Sequence, residues 1–206
     1  MGRYAHLAYT DSVRRVQEEN GSALVGVRGL AREDEPDPLG PAEASFIASR
    51  DGFYLASVSE TGWPYVQFRG GPPGFVHVLD ERTLAYADVR GNRQYITTGN
   101  VRADGRVALF FMDYPRKARL KLFGRARTLP LDEDAGLTRR LVGTRTDGKP
   151  ERLMTIHVEG ISWNCHQHIT PRFTEAELDT ALEPVRARMA ELERQNAELR
   201  ARLGEG

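Results

Sequence analysis

The sequence carries a single cysteine, Cys165. No disulfide can therefore close within the chain, and a cysteine-rich zinc site has no ligand set. It carries no excess charge of either sign, because 29 basic residues balance 29 acidic ones. That balance removes any global electrostatic pull toward nucleic acid or an anionic membrane. Long apolar runs are missing too: the first twenty residues hold Arg3, His6, Asp11, Arg14, Arg15, Glu18 and Glu19, where a secretory leader or a membrane span needs apolar side chains. The expectation is a cytoplasmic protein, neither exported nor inserted. Lysine is scarce, with three among the 29 basic residues, so arginine is the ordinary cation of this chain and a lone arginine says little. Also absent are GxxxxGK[ST], a GxGxxG after a strand, HExxH and GxSxG, which excludes the usual signatures of nucleotide hydrolysis, Rossmann dinucleotide binding, zinc proteolysis and serine hydrolysis.

What is present is a globular composition, 40% hydrophobic and 28% charged over 206 residues, enough to build one core with a modest appendage. Residues 4 to 20 read as weakly helical and end at Asn20-Gly21, followed by a loop. Residues 31 to 41 (AREDEPDPLGP) favour an irregular connection. Pro41 then suits the first turn of a short helix that carries Phe46 and Ile47 toward a core.

From Asp51-Gly52 onward, short β-branched and aromatic runs alternate with turn residues: FYLASVS at 53–59, YVQFR at 65–69, FVHVL at 75–79 and TLAYA at 83–87. A short helix over Asn92–Thr98, capped by Asn92, separates these from VALFFMDY at 107–114, ARLKLFGRARTL at 118–129 and RLMTIHVEGISW at 152–163. The turns between strands are too short for βαβ crossovers, so six or seven strands with marginal helices predict a small antiparallel barrel.

The C-terminus has another character. Thr174 with Glu177 forms a capping-box signature. Leu178, Leu182, Val185, Met189, Leu192, Asn196, Leu199 and Leu203 then recur at spacings of four and three. With Leu178, Val185, Leu192 and Leu199 at d and Asn196 at a, the heptads favour a parallel two-stranded coil, while an amphipathic helix packed on its own barrel would show the same stripe. Pro184 predicts a kink or a fresh start. The chain divides on this reading into 1–41, a helix and loop; 42–173, the barrel; and 174–206, the heptad helix.

Cys165, His166 and His168 crowd into WNCHQH and could engage a metal with His157 or His77, but their spacing is unlike that of structural zinc loops, and no metal is expected. A reactive thiolate at Cys165 has no support from sequence. The informative clusters are polar and basic residues at strand ends: Gln67 and Arg69 on WPYVQFRGG, Asn92, Arg93 and Gln94 on RGNRQY, and Arg119 and Lys121 on ARLKLFG. Convergent cations suit a phosphate, and amides with backbone suit a heteroaromatic ring, a combination that fits flavin mononucleotide (FMN).

From about Phe46 to Leu129 the order of these pieces resembles the pyridoxamine 5′-phosphate oxidase-like FMN-binding split barrels, most specifically in FYLASVSETGWPYVQFRGGPPGF, LAYADVRGNRQYI, RVALFFMDYP and ARLKLFGRAR. The resemblance implies a mainly β, antiparallel split β-barrel with short flanking helices, joined here to the C-terminal heptad helix. It implies that the strand carrying Tyr65, Val66, Gln67, Phe68 and Arg69 lines FMN. The stretch with Ala87, Asp88, Asn92, Arg93 and Gln94 would hold the phosphate, Arg119 or Lys121 would stand near the ring, and Trp163 with Arg172 would approach from the C-terminal part. A homodimer with FMN at the subunit interface is implied as well. The vitamin B6 oxidases bind their substrate through a Tyr, Arg and Ser set where this chain reads GLTRRLVGTRTDGKPERL, and they end in a basic C-terminus where it reads ISWNCHQHITPRF. The implied activity is therefore an FMN-dependent oxidation or reduction of another small molecule, with His166 or His168 as the acid or base if one acts. A non-catalytic holder of FMN, haem or a deazaflavin, or a scaffold recruiting partners through the coil, stands as the alternative.

Overall fold

The computed structural model describes residues 2–163 and 167–204. They divide into two compact units, Met1–Asp113 with Lys117–Gln167, and Tyr114–Arg116 with His168–Gly206. No described helix is long and apolar enough to cross a membrane.

The first unit is built on seven antiparallel strands: β1 (Gly52–Val58), β2 (Pro64–Gly70), β3 (His77–Asp80), β4 (Thr83–Val89), β5 (Arg106–Asp113), β6 (Ala118–Leu129) and β7 (Pro150–Trp163). They form one sheet in the order β2-β1-β5-β6-β7-β4-β3, the split-barrel arrangement. Its core follows from strand alternation. Val107, Leu109 and Phe111 of β5, Leu120 and Leu122 of β6, and Met154, Ile156 and Val158 of β7 point inward with Phe53, Leu55 and Tyr86. Full burial of each such side chain contributes roughly 1.5–3 kcal/mol, which is what holds the sheet curled around them.

Helices flank the sheet: α1 (Arg3–Ala8), α2 (Asp11–Glu19), α3 (Ala23–Leu30), α4 (Pro41–Ala48), α5 (Ile96–Ala103) and α6 (Ala135–Val142). Pro41 opens α4 as expected, with Ile47 fully buried. Two expectations need correction, and one helix was not expected. The segment after Gly21 is the helix α3 and not a loop, because it packs on the two preceding helices, Gly29 against Ala5 and Tyr9 and Gly26 against Gln17, contacts between segments that local turn signals do not show. The helix over Asn92–Thr98 starts at Ile96, and Asn92 does not cap it: its Oδ1 accepts from the Gln94 N–H at 3.2 Å, closing a local turn instead. The helix α6 was not foreseen, although Asp134 caps it by accepting from the Leu137 N–H at 2.9 Å, and Leu137 and Leu141 are spaced one turn apart. It roofs Ala85, Ala87 and Leu153, so β4 is buried on both faces.

The N-terminal segment is tied to β7 by the Asp37 carboxylate, which accepts from the backbone N–H groups of Gly2 at 2.8 Å, Tyr4 at 3.3 Å and Ile161 at 3.0 Å. Tyr4 stacks on Phe123 with ring centroids 4.8 Å apart.

The second unit is dominated by α7 (Glu175–Leu203), whose capping box between Thr174 and Glu177 forms as read. A fresh start at Pro184 does not occur: α7 is one helix of 29 residues. Proline removes one hydrogen bond and costs roughly 3 kcal/mol, and the Ala-, Leu-, Glu- and Arg-rich turns on either side outweigh that loss.

Candidate functional site

A flat sheet with strands about 4.8 Å apart would hold β2 and β4 roughly 24 Å from each other, since five spacings separate them in the strand order. In the structure Arg69 Nη1 of β2 lies 3.1 Å from Asp88 Oδ1 of β4. The curl of the sheet thus brings its two margins together, and a narrow, open cleft lies where they meet the start of α5.

Its walls come from three places. Tyr65, Gln67 and Arg69 alternate along β2. Asp88 and Val89 end β4, and Gly91 to Tyr95 form the loop into α5. Thr97 and Thr98 of α5 and Arg152 of β7 complete the lining. The loop carries two non-glycine residues in the left-handed region, Arg93 at φ 63° and Tyr95 at φ 52°. Such conformations are uncommon outside glycine and concentrate at binding sites, where surrounding contacts hold them. Tyr95 is the residue before α5, and no side chain caps that helix among the described residues, so its first N–H groups remain available at the cleft.

The charges beneath the cleft form one network. Asp88, buried, pairs with Arg69 and, through Oδ2, with Arg152 Nη1 at 2.7 Å. Arg152 Nη2 continues to Glu151 Oε2 at 3.0 Å, and Glu151 Oε1 accepts from Arg90 Nε at 2.6 Å. Hydrogen bonds from Arg90 hold the Glu151 carboxyl below its ordinary range. The Arg152 guanidinium also lies 4.9 Å from the centre of the Tyr95 ring, a cation–π contact that orients both. Behind Arg69, the buried Arg145 donates to the Gly70 carbonyl at 2.8 Å and pairs with Asp147 at 3.1 Å, fixing the end of β2. Burial pushes the Tyr86 hydroxyl, set among these arginines, well above its ordinary range, so it stays protonated. On the opposite wall the Thr97 hydroxyl donates to Gln67 Oε1 at 3.0 Å, which leaves the Gln67 NH₂ group as a donor.

Arg69, Arg152 and the exposed Arg90 face two carboxylates, Asp88 and Glu151, and the exposed Arg93 adds a fourth guanidinium. The buried Nε of Arg69 finds no acceptor among the described residues. A surplus of cations and an uncapped helix start are the chemistry of an anion site, and a phosphate monoester fits it.

Of the residues singled out in the sequence, the structure brings together Tyr65, Gln67, Arg69, Asp88, Asn92, Arg93 and Gln94. Val66 and Phe68 alternate to the opposite, exposed face of β2, and Ala87 turns under α6. Arg119 and Lys121 lie on β6 outside the cleft, Lys121 with its Nζ 5.3 Å from the Tyr4 ring centre. Trp163 donates from Nε1 to Glu43 at 2.6 Å and meets Phe46 edge-on, outside the cleft. Arg172 belongs to the second unit, its guanidinium 5.1 Å over the Tyr114 ring. Cys165 and His166 lie outside the described residues; His77, His157 and His168 do not line the cleft. Sequence reading missed Arg152, Tyr95, Thr97 and Thr98. Arg152 had no local motif to mark it, and only the register that sets it opposite Asp88 could have found it.

The sequence model of a family described as pyridoxamine 5′-phosphate oxidase matches residues 39–164. No curated protein matches the chain. Among solved structures, a variant of Group A Streptococcus HupZ is similar at 18% identity and a TM-score of 0.50, covering 61% of this chain and 99% of its own. An FMN-binding protein from Syntrophomonas wolfei is 12% identical with a TM-score of 0.45, over 59% of this chain and 83% of its own. A FAD-binding protein from Mesorhizobium loti is 18% identical with a TM-score of 0.42, over 61% of this chain and 94% of its own.

Proposed function

The chain belongs to the pyridoxamine 5′-phosphate oxidase family, and from that premise we propose that the cleft between β2, β4 and α5 holds FMN and that the protein is an FMN-dependent oxidoreductase acting on a small molecule. The observation that carries this reading is the convergence of Arg69, Arg93 and Arg152 on one cleft at the uncapped start of α5. A phosphate offers oxygens to the Arg93 guanidinium and to the N–H groups that begin α5. Asp88 holds Arg69 and Arg152 through one oxygen each, so the two guanidinium groups are positioned before the ligand arrives. Tyr65, the Gln67 amide and Tyr95 supply a mixed aromatic and hydrogen-bonding wall for a planar ring. When bound, the flavin supplies the electron and hydride transfer, and the chain's own residues bind, orient and limit access to it.

A second subunit belongs to this reading. β2 presents Tyr65, Gln67 and Arg69 to the cleft and Val66 and Phe68 to solvent, where Tyr54 and Val58 of β1 and the adjacent Trp63 extend an exposed apolar face. Contiguous apolar surface of this kind marks an association face, and a homodimer that covers it would place a partner beside the cofactor.

The test is an absorption spectrum of the purified protein, followed by heat release and chromatography of the ligand. Oxidised-flavin bands with FMN released at about one per subunit are expected. A Soret band, or a colourless protein that refuses added FMN, overturns the reading.

A further inference from the structure

The α7 helix carries an apolar seam that is exposed among the described residues. Leu178, Leu182, Val185, Met189, Leu192, Leu199 and Leu203 are 41% to 74% exposed. An α-helix of 29 residues is about 43 Å long, and an isolated helix in water draws little stability from its backbone alone. This seam recurs at spacings of four and three over four heptads, which is the repeat that a second helix buries knob into hole.

We propose that α7 pairs with the α7 of a second copy of this chain as a parallel, in-register, two-stranded coiled coil. Three features of the sequence on this helix specify that occupant. First, Asn196 occupies an a position. In a parallel pair it meets the partner's Asn196, and each amide donates to the other across the seam. In an antiparallel pair the same layers set Asn196 against Val185 and leave a buried amide without a partner. Second, the flanking positions suit self-pairing. Arg188 at g faces Glu193 at e of the other chain, and no g-to-e pair in the parallel register brings like charges together. Third, Pro184 falls at a c position, on the outer side, so its ring stands clear of the seam.

Disulfide trapping in the full chain tests this. Leu199→Cys at a d position, with Cys165→Ser to remove the native thiol, is expected to give a rapid 199-to-199 disulfide. Ala201→Cys in the same background lies at an f position and is expected to lag at least tenfold. Mass spectrometry of the linked peptides identifies the partners, so the experiment also works with Cys165 retained. Equal rates at the two positions, or no 199-to-199 link while circular dichroism shows α7 intact, overturns the pairing. A preferential link between Leu182→Cys and Leu199→Cys chains overturns the parallel orientation. Flavin content is not a readout here, so the coil and the cofactor reading can fail independently.

Discussion

Arg93 holds a left-handed backbone at φ 63° that alanine would occupy at similar cost, so Arg93→Ala removes the guanidinium without adding strain. A charge-assisted hydrogen bond is worth about 1.5–3 kcal/mol, and the expected result is FMN binding weaker by about 10- to 100-fold in a fluorescence titration. Unchanged affinity would remove Arg93 from the phosphate site. Glu151 gives the pH dependence. Its carboxyl is held below the ordinary value of 4.5, first by the hydrogen bond from Arg90. A depressed folded-state value means the Arg90–Glu151–Arg152 network contributes fully above pH 4.5 and is lost as pH falls through the lower value. An NMR titration should place Glu151 below 4.5 and return it toward that value in Arg90→Ala; identical titrations in the two proteins would show that Arg90 is not the cause. At this scale Arg69 and the Asn92 to Gln94 run were legible because their neighbours in sequence are also their neighbours in the cleft. Arg152 was not, because what makes it matter is a carboxylate sixty-four positions away.

The strand β7 shows how an element's local pattern and its packing divide the work. Its alternation of Met154, Ile156 and Val158 reads directly as a half-buried strand. What the alternation does not reveal is that Tyr4 lies over Gly160 so closely that a Cβ there would stand 2.7 Å from the Tyr4 Cα and 2.8 Å from its nitrogen. Backbone cannot swing aside as a side chain can. Gly160→Ala should therefore cost about 1–3 kcal/mol, seen as a lower denaturant midpoint together with faster proteolysis around α1. A midpoint equal to wild type would mean that α1 does not rest on β7 in solution. The helices α5 and α6 divide in the same way: the Asp134 cap was readable in principle, whereas the start of α5 is set by Tyr95 in a left-handed conformation that no composition rule anticipates.

For the whole molecule, the proposed function requires that a partner covering the exposed apolar face of β1 and β2 help hold the cofactor. Phe68→Glu sits on that face and outside the cleft, so it leaves the proposed phosphate contacts intact. Absorbance at the flavin band after gel filtration should show loss of bound flavin, even where paired α7 helices keep two chains together. Full retention of flavin in Phe68→Glu would separate the apolar face from the cofactor and place the cofactor within one chain. The sequence by itself determined the strands, through period-two alternation around short turns, and it determined the capped heptad helix, through residues three and four apart; both are local rules that act within a few residues. It also carried the family resemblance that the match over residues 39–164 bears out. Only the tertiary structure decided the site. Arg69 and Asp88 stand on strands that are first and sixth in the sheet, and they meet at 3.1 Å because twisted strands curl around a buried core. That curl is a property of all seven strands packed together, and no single segment encodes it.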